Sequence, residues 1–266
     1  TDLNFGMYRR DVETAQVLAD IQAEFNWPTR VNATTGKNRP ERIIEIAKLL
    51  KGSWLTGPAI QSSDEEVLKN VKRSNISIEA YREFSTFMKS LDKNASIFTE
   101  LILGLPGDTK EKHFESLRYG VDNRLTKLKV NQARLLVGTD MASQETRDKF
   151  ELVGKFRISA GGVGVYTFGE EVTPVAEIHE IIVSSKDMSF EDYVSCRIMH
   201  LLLEAYYSQS QFDEIFSAIK AMGLSSFEFL SYIHKHEELY TPRVKEIIDK
   251  YVTATRENLY DSYEEA

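Results

Sequence analysis

Cysteine is almost missing from this sequence. The 266 residues include one cysteine, Cys196, so the chain cannot form a disulfide framework of its own. Proteins without disulfides are typical of reducing compartments, and we therefore expect a cytoplasmic location. Cys196 lies in the middle of a predicted helix, where we expect it to be a small residue of the hydrophobic core.

Long apolar runs and an excess of basic residues are missing as well. No stretch of about 18 apolar residues occurs, so we expect no membrane-spanning helix. The formal net charge is −8, from 33 Lys and Arg residues against 41 Asp and Glu residues. A nucleic-acid partner needs a basic surface, so we expect no binding to nucleic acid. The remaining composition is that of an ordinary globular protein.

Local signatures of a metal site or a nucleophile are missing too. His234 and His236 lie two residues apart in a predicted helix, which places them on different faces. None of the five histidines has metal-ligand spacing, so we expect structural or surface roles for them and no metal ligands in this chain. Ser62 follows a predicted strand without the glycine-flanked turn of a nucleophile elbow, which disfavours a catalytic serine.

What the sequence does contain is an alternation of strand-like and helix-like segments up to residue 150. The clearest unit is TELILGLPGDT, residues 99–109, where glycine and proline break an apolar run before an amphipathic run begins. This alternation predicts parallel strands joined by right-handed crossovers, with helices outside. We predict these strands near residues 29–34, 53–60, 97–103 and 127–136.

Beyond residue 150 the pattern changes. Residues 156–168 are rich in glycine and predict a flexible or hairpin-like passage, and residues 175–184 alternate as a strand does. Further helices are predicted at residues 190–207, 211–222, 226–236 and 242–260. We therefore divide the chain into an α/β domain, residues 1–150, and a carboxyl-terminal region, residues 151–266, with a strand or hairpin followed by helices.

Several short segments carry a resemblance through their order along the chain. They are residues 2–6, 9–11, 61–62, 66–69, 72–76, 100–109, 173–175, 177–178 and 188–193. In this order they resemble the radical S-adenosylmethionine (SAM) family. They are most similar to the branch that has an amino-terminal cobalamin-binding domain and is often described as Fe-S oxidoreductases.

The resemblance implies a partial (β/α) barrel of six strands, which this chain enters at the end of the second. The family binds a 4Fe-4S cluster through a C-x-x-x-C-x-x-C motif after its first strand, and this sequence has no such motif. We expect a truncated chain whose cluster ligands lie outside this sequence; a degenerate homologue is the alternative. An unpaired strand edge near residues 2–6 would favour self-association.

The resemblance also implies an activity. The full-length parent would reductively cleave SAM to a 5′-deoxyadenosyl radical, with an electron from the cluster and with cobalamin as a further cofactor of the branch. We expect this chain alone to be inactive, and its small-molecule or macromolecular substrate is open. The alternative is a non-catalytic (β/α) domain that binds a small ligand or a partner protein. A TIM-barrel hydrolase is disfavoured because paired carboxylates at strand ends are not evident.

Four candidate cofactor-binding residues lie in the first part of the chain. The resemblance places Asn4 where the family contacts the methionine moiety, although the usual Gly-Gly-Glu is absent. It places Gln61 and Ser62 where the fourth strand meets the ribose or the carboxylate. Arg73 is a candidate for the methionine carboxylate, because a guanidinium fork suits that geometry; a solvated charge is the alternative.

Four more candidates lie in and after the central strand. The resemblance places Gly104, Leu105 and Gly107 where the backbone runs beside the adenine. Glycine also permits close backbone approach, although a plain connection would need the same residues. Strand parity puts Glu100 on the face of Ile102 and Gly104. A carboxylate there either pairs with Lys, Arg or ligand in a barrel lumen, or the strand is misassigned. Catalytic residues are not assigned.

Overall fold

The computed structural model describes residues 4–35, 39–54, 60–73, 75, 77–91, 98–123, 127–209 and 211–266. The chain has a mixed α/β architecture and forms two compact units. Unit 1 comprises Thr1–Leu101 and Tyr119–Lys129, and unit 2 comprises Ile102–Arg118 and Val130–Ala266. The domain boundary after residue 150 stays a prediction.

The described part of unit 1 contains four whole helices and a set of parallel bridges between single residues. The helices are α1 (Arg9–Phe25), α2 (Pro40–Leu49), α3 (Glu65–Asn70) and α4 (Ile78–Leu91). The parallel bridges are Phe5 to Thr35, Val31 to Trp54, and Gln61 to Leu101. The predicted parallel direction is thus confirmed at these bridges. Residues 29–34 and the described part of 53–60 form isolated bridges rather than extended strands, and residues 55–59 lie outside the described residues.

The ends of the first two helices follow from local sequence. Helix α1 stops at Asn26, which has a left-handed φ of 56° directly before Trp27 and Pro28, as the sequence predicts. Helix α2 has Pro40 in its first turn, where the missing N–H of proline costs nothing. Ile46 and Trp54 are fully buried, and both belong to the hydrophobic core of unit 1.

Two short strands, β1 (Phe98–Leu103) and β2 (Lys127–Gln132), form a two-stranded sheet, with α5 (Lys110–Asp122) between them in sequence. The central strand is confirmed. β2 ends four residues earlier than predicted, because the chain changes its partner at Ala133, whose N–H still donates to the Leu103 carbonyl at 2.9 Å. Leu135 donates its N–H to the Glu180 carbonyl, and Ala133 accepts from the Ile182 N–H. A barrel and the direction of β2 stay predictions.

The rest of unit 2 is a long hairpin with helices around it. The elements are α6 (Gln144–Phe150), β3 (Val153–Phe168), β4 (Glu171–Ser184), α7 (Phe190–Leu203), α8 (Asp213–Ala221), α9 (Ser226–Lys235) and α10 (Pro242–Glu257), with a π-helical turn at Glu204–Ser208. β3 and β4 pair antiparallel, with a bulge between Ile158 and Val163. The glycine-rich passage is therefore a hairpin strand, and the predicted helices after residue 188 are confirmed.

The core of unit 2 lies between β4 and α7. Its members are Leu103, Ile181, Val183, Met188, Tyr193, Val194 and Cys196. Ser189 begins α7 by accepting the Asp192 N–H at 3.1 Å. Cys196 is fully buried, as expected, and burial raises the pKa of its thiol. Among the helices in the described part of the chain, none has the length and apolar character needed to cross a membrane.

Candidate functional site

The first candidate loop in unit 1 follows Phe5. Asn4 is exposed, and its carbonyl accepts the Met7 N–H at 3.0 Å. The residue that shapes this loop is Asp11, which sequence reasoning did not select. Its Oδ2 accepts the N–H groups of Gly6 and Tyr8 at 3.0 and 2.9 Å. An acidic residue at the third position of a helix is a capping signal that could have identified it.

The second candidate loop in unit 1 contains Gln61 and Ser62, which are both buried. Gln61 donates its N–H to the Glu100 carbonyl at 2.7 Å, so the structure brings two of the sequence-predicted residues together. The Ser62 hydroxyl accepts the Asp64 N–H at 3.1 Å, and the Ser62 carbonyl accepts from the Asn75 amide at 2.6 Å. This loop therefore has little freedom to move its polar groups.

Glu100 and Arg73 have more exposed side chains. The Glu100 carboxylate pairs with the Lys129 ammonium at 3.4 Å, which is one of the predicted pairings. Arg73 is exposed, and its N–H donates to the Leu68 carbonyl at 2.8 Å. Within the described ranges its guanidinium has no ion-pair partner. Among the described residues, Arg73 is thus the candidate with an exposed cationic group and no ion-pair partner.

The candidate loop in unit 2 is residues 104–108. Gly104 and Gly107 have φ values of 82° and 83°, in the left-handed region that favours glycine, and the Asp108 N–H closes the turn onto the Leu105 carbonyl at 2.9 Å. A Cβ on Gly104 would lie 3.4 Å from the Ile182 carbonyl oxygen. All five residues are buried. Any ligand recognition by the two glycines has to use main-chain groups.

A buried chain of three titratable side chains supports this loop. Asp108 Oδ2 lies 3.4 Å from the Gly104 nitrogen and 3.5 Å from His113 Nδ1. His113 Nε2 in turn lies 2.8 Å from His200 Nε2. Asp108 and His113 are each 1% exposed, and His200 is 7% exposed. We call this set the Asp108 relay.

The electrostatics keep the far end of the Asp108 relay neutral. Burial, followed by the neighbouring His113 and Arg197, holds the pKa of His200 well below the ordinary value of histidine. The sequence indicated structural or surface roles for the histidines, but not the contact between His113 and His200. No local signal could have done so, because they lie 87 residues apart.

Comparison with curated proteins gives partial matches. The chain is 35% identical over 130 residues to the cobalamin-dependent radical SAM methyltransferase TokK of Streptomyces tokunonensis, covering 47% of this chain and 18% of that protein. It is 39% identical over 111 residues to 2-(S-pantetheinyl)-carbapenam-3-carboxylate methyltransferase of Streptantibioticus cattleyicolor, covering 40% of this chain and 16% of that protein.

A third match is 30% identical over 118 residues to tRNA-2-methylthio-N(6)-dimethylallyladenosine synthase of Clostridium botulinum, covering 42% of this chain and 26% of that protein. No family model matches the chain. The matched segments thus span less than a third of the length of these relatives. The chain is related to the radical SAM enzymes, through a match that covers part of it.

The residues of this chain do not fit an iron-sulfur cluster. Such a cluster is held by several cysteine thiolates, whereas this chain has only Cys196. That thiol is buried, and its raised pKa disfavours the thiolate. In the described part of the chain, no group of three or more His, Cys, Asp or Glu side chains is placed to hold a metal ion.

Proposed function

We propose that this chain supplies SAM-binding residues to a radical SAM enzyme that reductively cleaves SAM to begin radical chemistry. The observation that carries the proposal is the match, at 35% and 39% identity, to two methyltransferases, one of them named as a cobalamin-dependent radical SAM enzyme. These two names favour methyl transfer as the reaction class. The substrate and the use of cobalamin are parts of this proposal to which no residue of the chain is assigned.

The first group of proposed contacts is with the polar end of SAM. Arg73 would bind the methionine carboxylate, because its exposed guanidinium can form two parallel hydrogen bonds with a carboxylate. Gln61 and Ser62 would meet the ribose or the carboxylate, from a loop that its own hydrogen bonds already hold. Preorganised polar groups bind a ligand with less loss of conformational entropy.

A separate proposed contact is the turn at residues 104–107. The two left-handed glycines place main-chain groups without an intervening Cβ, which suits the edge of a planar base such as adenine. Reductive cleavage of SAM also needs an electron. Because this chain does not fit a cluster, we assign no electron-transfer step to it and expect the electron to be delivered by groups outside it.

The proposal is tested by calorimetric titration of the purified chain with SAM and with 5′-deoxyadenosine, which lacks the methionine carboxylate. Arg73→Ala is expected to weaken SAM binding by at least about tenfold, the effect of losing one or both charge-assisted hydrogen bonds, and to leave 5′-deoxyadenosine binding unchanged. Lys69→Ala is the matched control, since it removes another exposed cation in unit 1. If the folded chain binds neither ligand, the proposal fails and the non-catalytic binding domain becomes the preferred function.

Iron analysis sharpens the same proposal. After incubation with iron and sulfide under anaerobic conditions, the desalted chain is expected to retain no stoichiometric iron, and Cys196→Ser is expected to give the same result. Iron that is retained by the wild-type chain and lost in Cys196→Ser would contradict the assignment of Cys196 to the core.

A further inference from the structure

We propose that His113 and His200 are positioning residues for the turn at residues 104–107, which they hold through Asp108, with His113 protonated on Nδ1 and His200 on Nε2. The ligand-binding part of this inference rests on the proposed function, because that function makes the turn a SAM contact. The tautomers and the support of Gly104 do not depend on any ligand.

The first step is the role of Asp108. Its Oδ2 accepts the Gly104 N–H at 3.4 Å and lies 3.5 Å from His113 Nδ1. Its Oδ1 is buried and has no hydrogen-bond partner within the described ranges. The carboxylate is thus held from one side only. The imidazole of His113 fixes its orientation and keeps Oδ2 directed at the Gly104 N–H.

The second step is the tautomer of His113. His113 Nδ1 lies 3.5 Å from Asp108 Oδ2, an ion-pair distance, and an ionised carboxylate at that distance favours an N–H over a lone pair on Nδ1. A neutral imidazole has one N–H, and His113 Nε2 is then an acceptor. The 2.8 Å contact between the two Nε2 atoms requires a donor, which must come from His200 Nε2.

The third step is the state of His200. With its proton on Nε2, the ring leaves Nδ1 as an unprotonated acceptor, and Nδ1 is the His200 atom that is buried without a partner in the described structure. The opposite arrangement would bury an unpaired N–H donor and would direct a lone pair of His113 at the Asp108 carboxylate. Burying an unpaired donor is costly, so the geometry selects one tautomer for each ring.

Imidazole nitrogen NMR on the intact chain tests this assignment near neutral pH. We expect one histidine with its proton on Nδ1 and one buried histidine with its proton on Nε2, assigned as His113 and His200 from the signals that disappear in His113→Gln and His200→Gln. His113 protonated on Nε2, or His200 carrying protons on both nitrogens, would overturn the proposal.

The positioning role is tested by comparing His200→Gln with His200→Leu. The glutamine amide retains an N–H donor for His113, whereas leucine removes it. We therefore expect His200→Leu to shift the Gly104 amide resonance and to weaken SAM binding by about tenfold, and His200→Gln to restore both. His234→Gln is the control, because His234 contacts the Ser195 carbonyl at 3.0 Å instead of the Asp108 relay.

The outcomes separate this inference from the proposed function. If His200→Leu does not fold, Asp108→Asn provides the second variant, for which we expect a shifted Gly104 amide resonance, because an amide oxygen is a weaker acceptor than a carboxylate oxygen. If neither the wild-type chain nor any variant binds SAM, the proposed function fails. If the tautomers and the Gly104 resonance then still behave as expected, the positioning role of His113 and His200 is supported. If SAM binds and neither His200→Leu nor Asp108→Asn alters the Gly104 resonance, the inference fails.

Discussion

Two loops of this protein each contain a glycine with a positive φ whose N–H is accepted by an aspartate, and the two aspartates have different further contacts. In unit 1, a glycine with φ of 93° follows Phe5, and Asp11 accepts its N–H. In unit 2, a glycine with φ of 82° follows β1, and Asp108 accepts its N–H. Each carboxylate lies a few residues after its glycine, and both are buried. In both cases the carboxylate accepts a hydrogen bond from a main-chain N–H of the turn, which a buried N–H needs.

The two carboxylates differ in how completely they are paired. Asp11 takes two main-chain N–H groups at 2.9 and 3.0 Å, from residues within the same short segment. Asp108 has one longer contact to a main-chain nitrogen and one to His113, and its Oδ1 is unpaired within the described ranges. The Asp11 carboxylate is therefore paired within its own segment, whereas Asp108 contacts the nearby His113, which in turn contacts the distant His200.

The largest expected effect is on Asp11. Asp11→Ala leaves two N–H groups without their acceptor, and we expect it to lower the free energy of unfolding by about 2–4 kcal/mol. Asp108→Ala should cost less, about 1–2 kcal/mol, because it also removes an incompletely paired buried carboxylate. Urea unfolding measures both variants, and tryptophan fluorescence follows unit 1, which contains Trp27 and Trp54. A larger loss in Asp108→Ala would reverse the comparison.

The next effect concerns the two glycines. Alanine at Gly6 or Gly104 is expected to cost about 1–2 kcal/mol, because each position has a left-handed φ. Gly6→Ala should cost more, since its Cβ would lie 3.1 Å from Ile43 Cγ1, against 3.4 Å from the Ile182 oxygen at Gly104. Gly138→Ala isolates the backbone effect, because Gly138 has φ of 83° and no atom within 4 Å of the added Cβ. If all three variants lose the same free energy of unfolding, contacts of the added Cβ do not contribute to the loss.

A smaller effect is expected from pH. Burial lowers the pKa of His200 and also that of His234 in the folded chain. The unfolded chain therefore takes up protons near its ordinary pKa of about 6.5 while the folded chain does not, so stability should fall as the pH falls below that value. The slope is at most about 1.4 kcal/mol per pH unit for each histidine. Unfolding titrations should show a shallower slope in His200→Gln and the shallowest in the double variant with His234→Gln.

Much of the fold could be predicted from local sequence. The end of α1 at Asn26, the start of α2 at Pro40, the strand β1 and the helices after residue 188 all follow from spacing, capping and turn residues. The spacing of the histidines along the chain gives no indication that His113 and His200 contact each other. Local sequence also does not predict where β2 ends, because the residues after it form hydrogen bonds with β4, which lies far along the chain.

In the candidate site, too, some features follow from local sequence and others from tertiary contacts. Local sequence determined where the turns fall, which glycines they need and which helix begins after each of them, because these features depend on backbone sterics and on hydrogen bonds within a few residues. Only the tertiary structure decided that His200 contacts His113 and that Glu100 faces Lys129. Those contacts depend on which distant segments pack together in a low-dielectric interior, and no spacing along the chain encodes that choice.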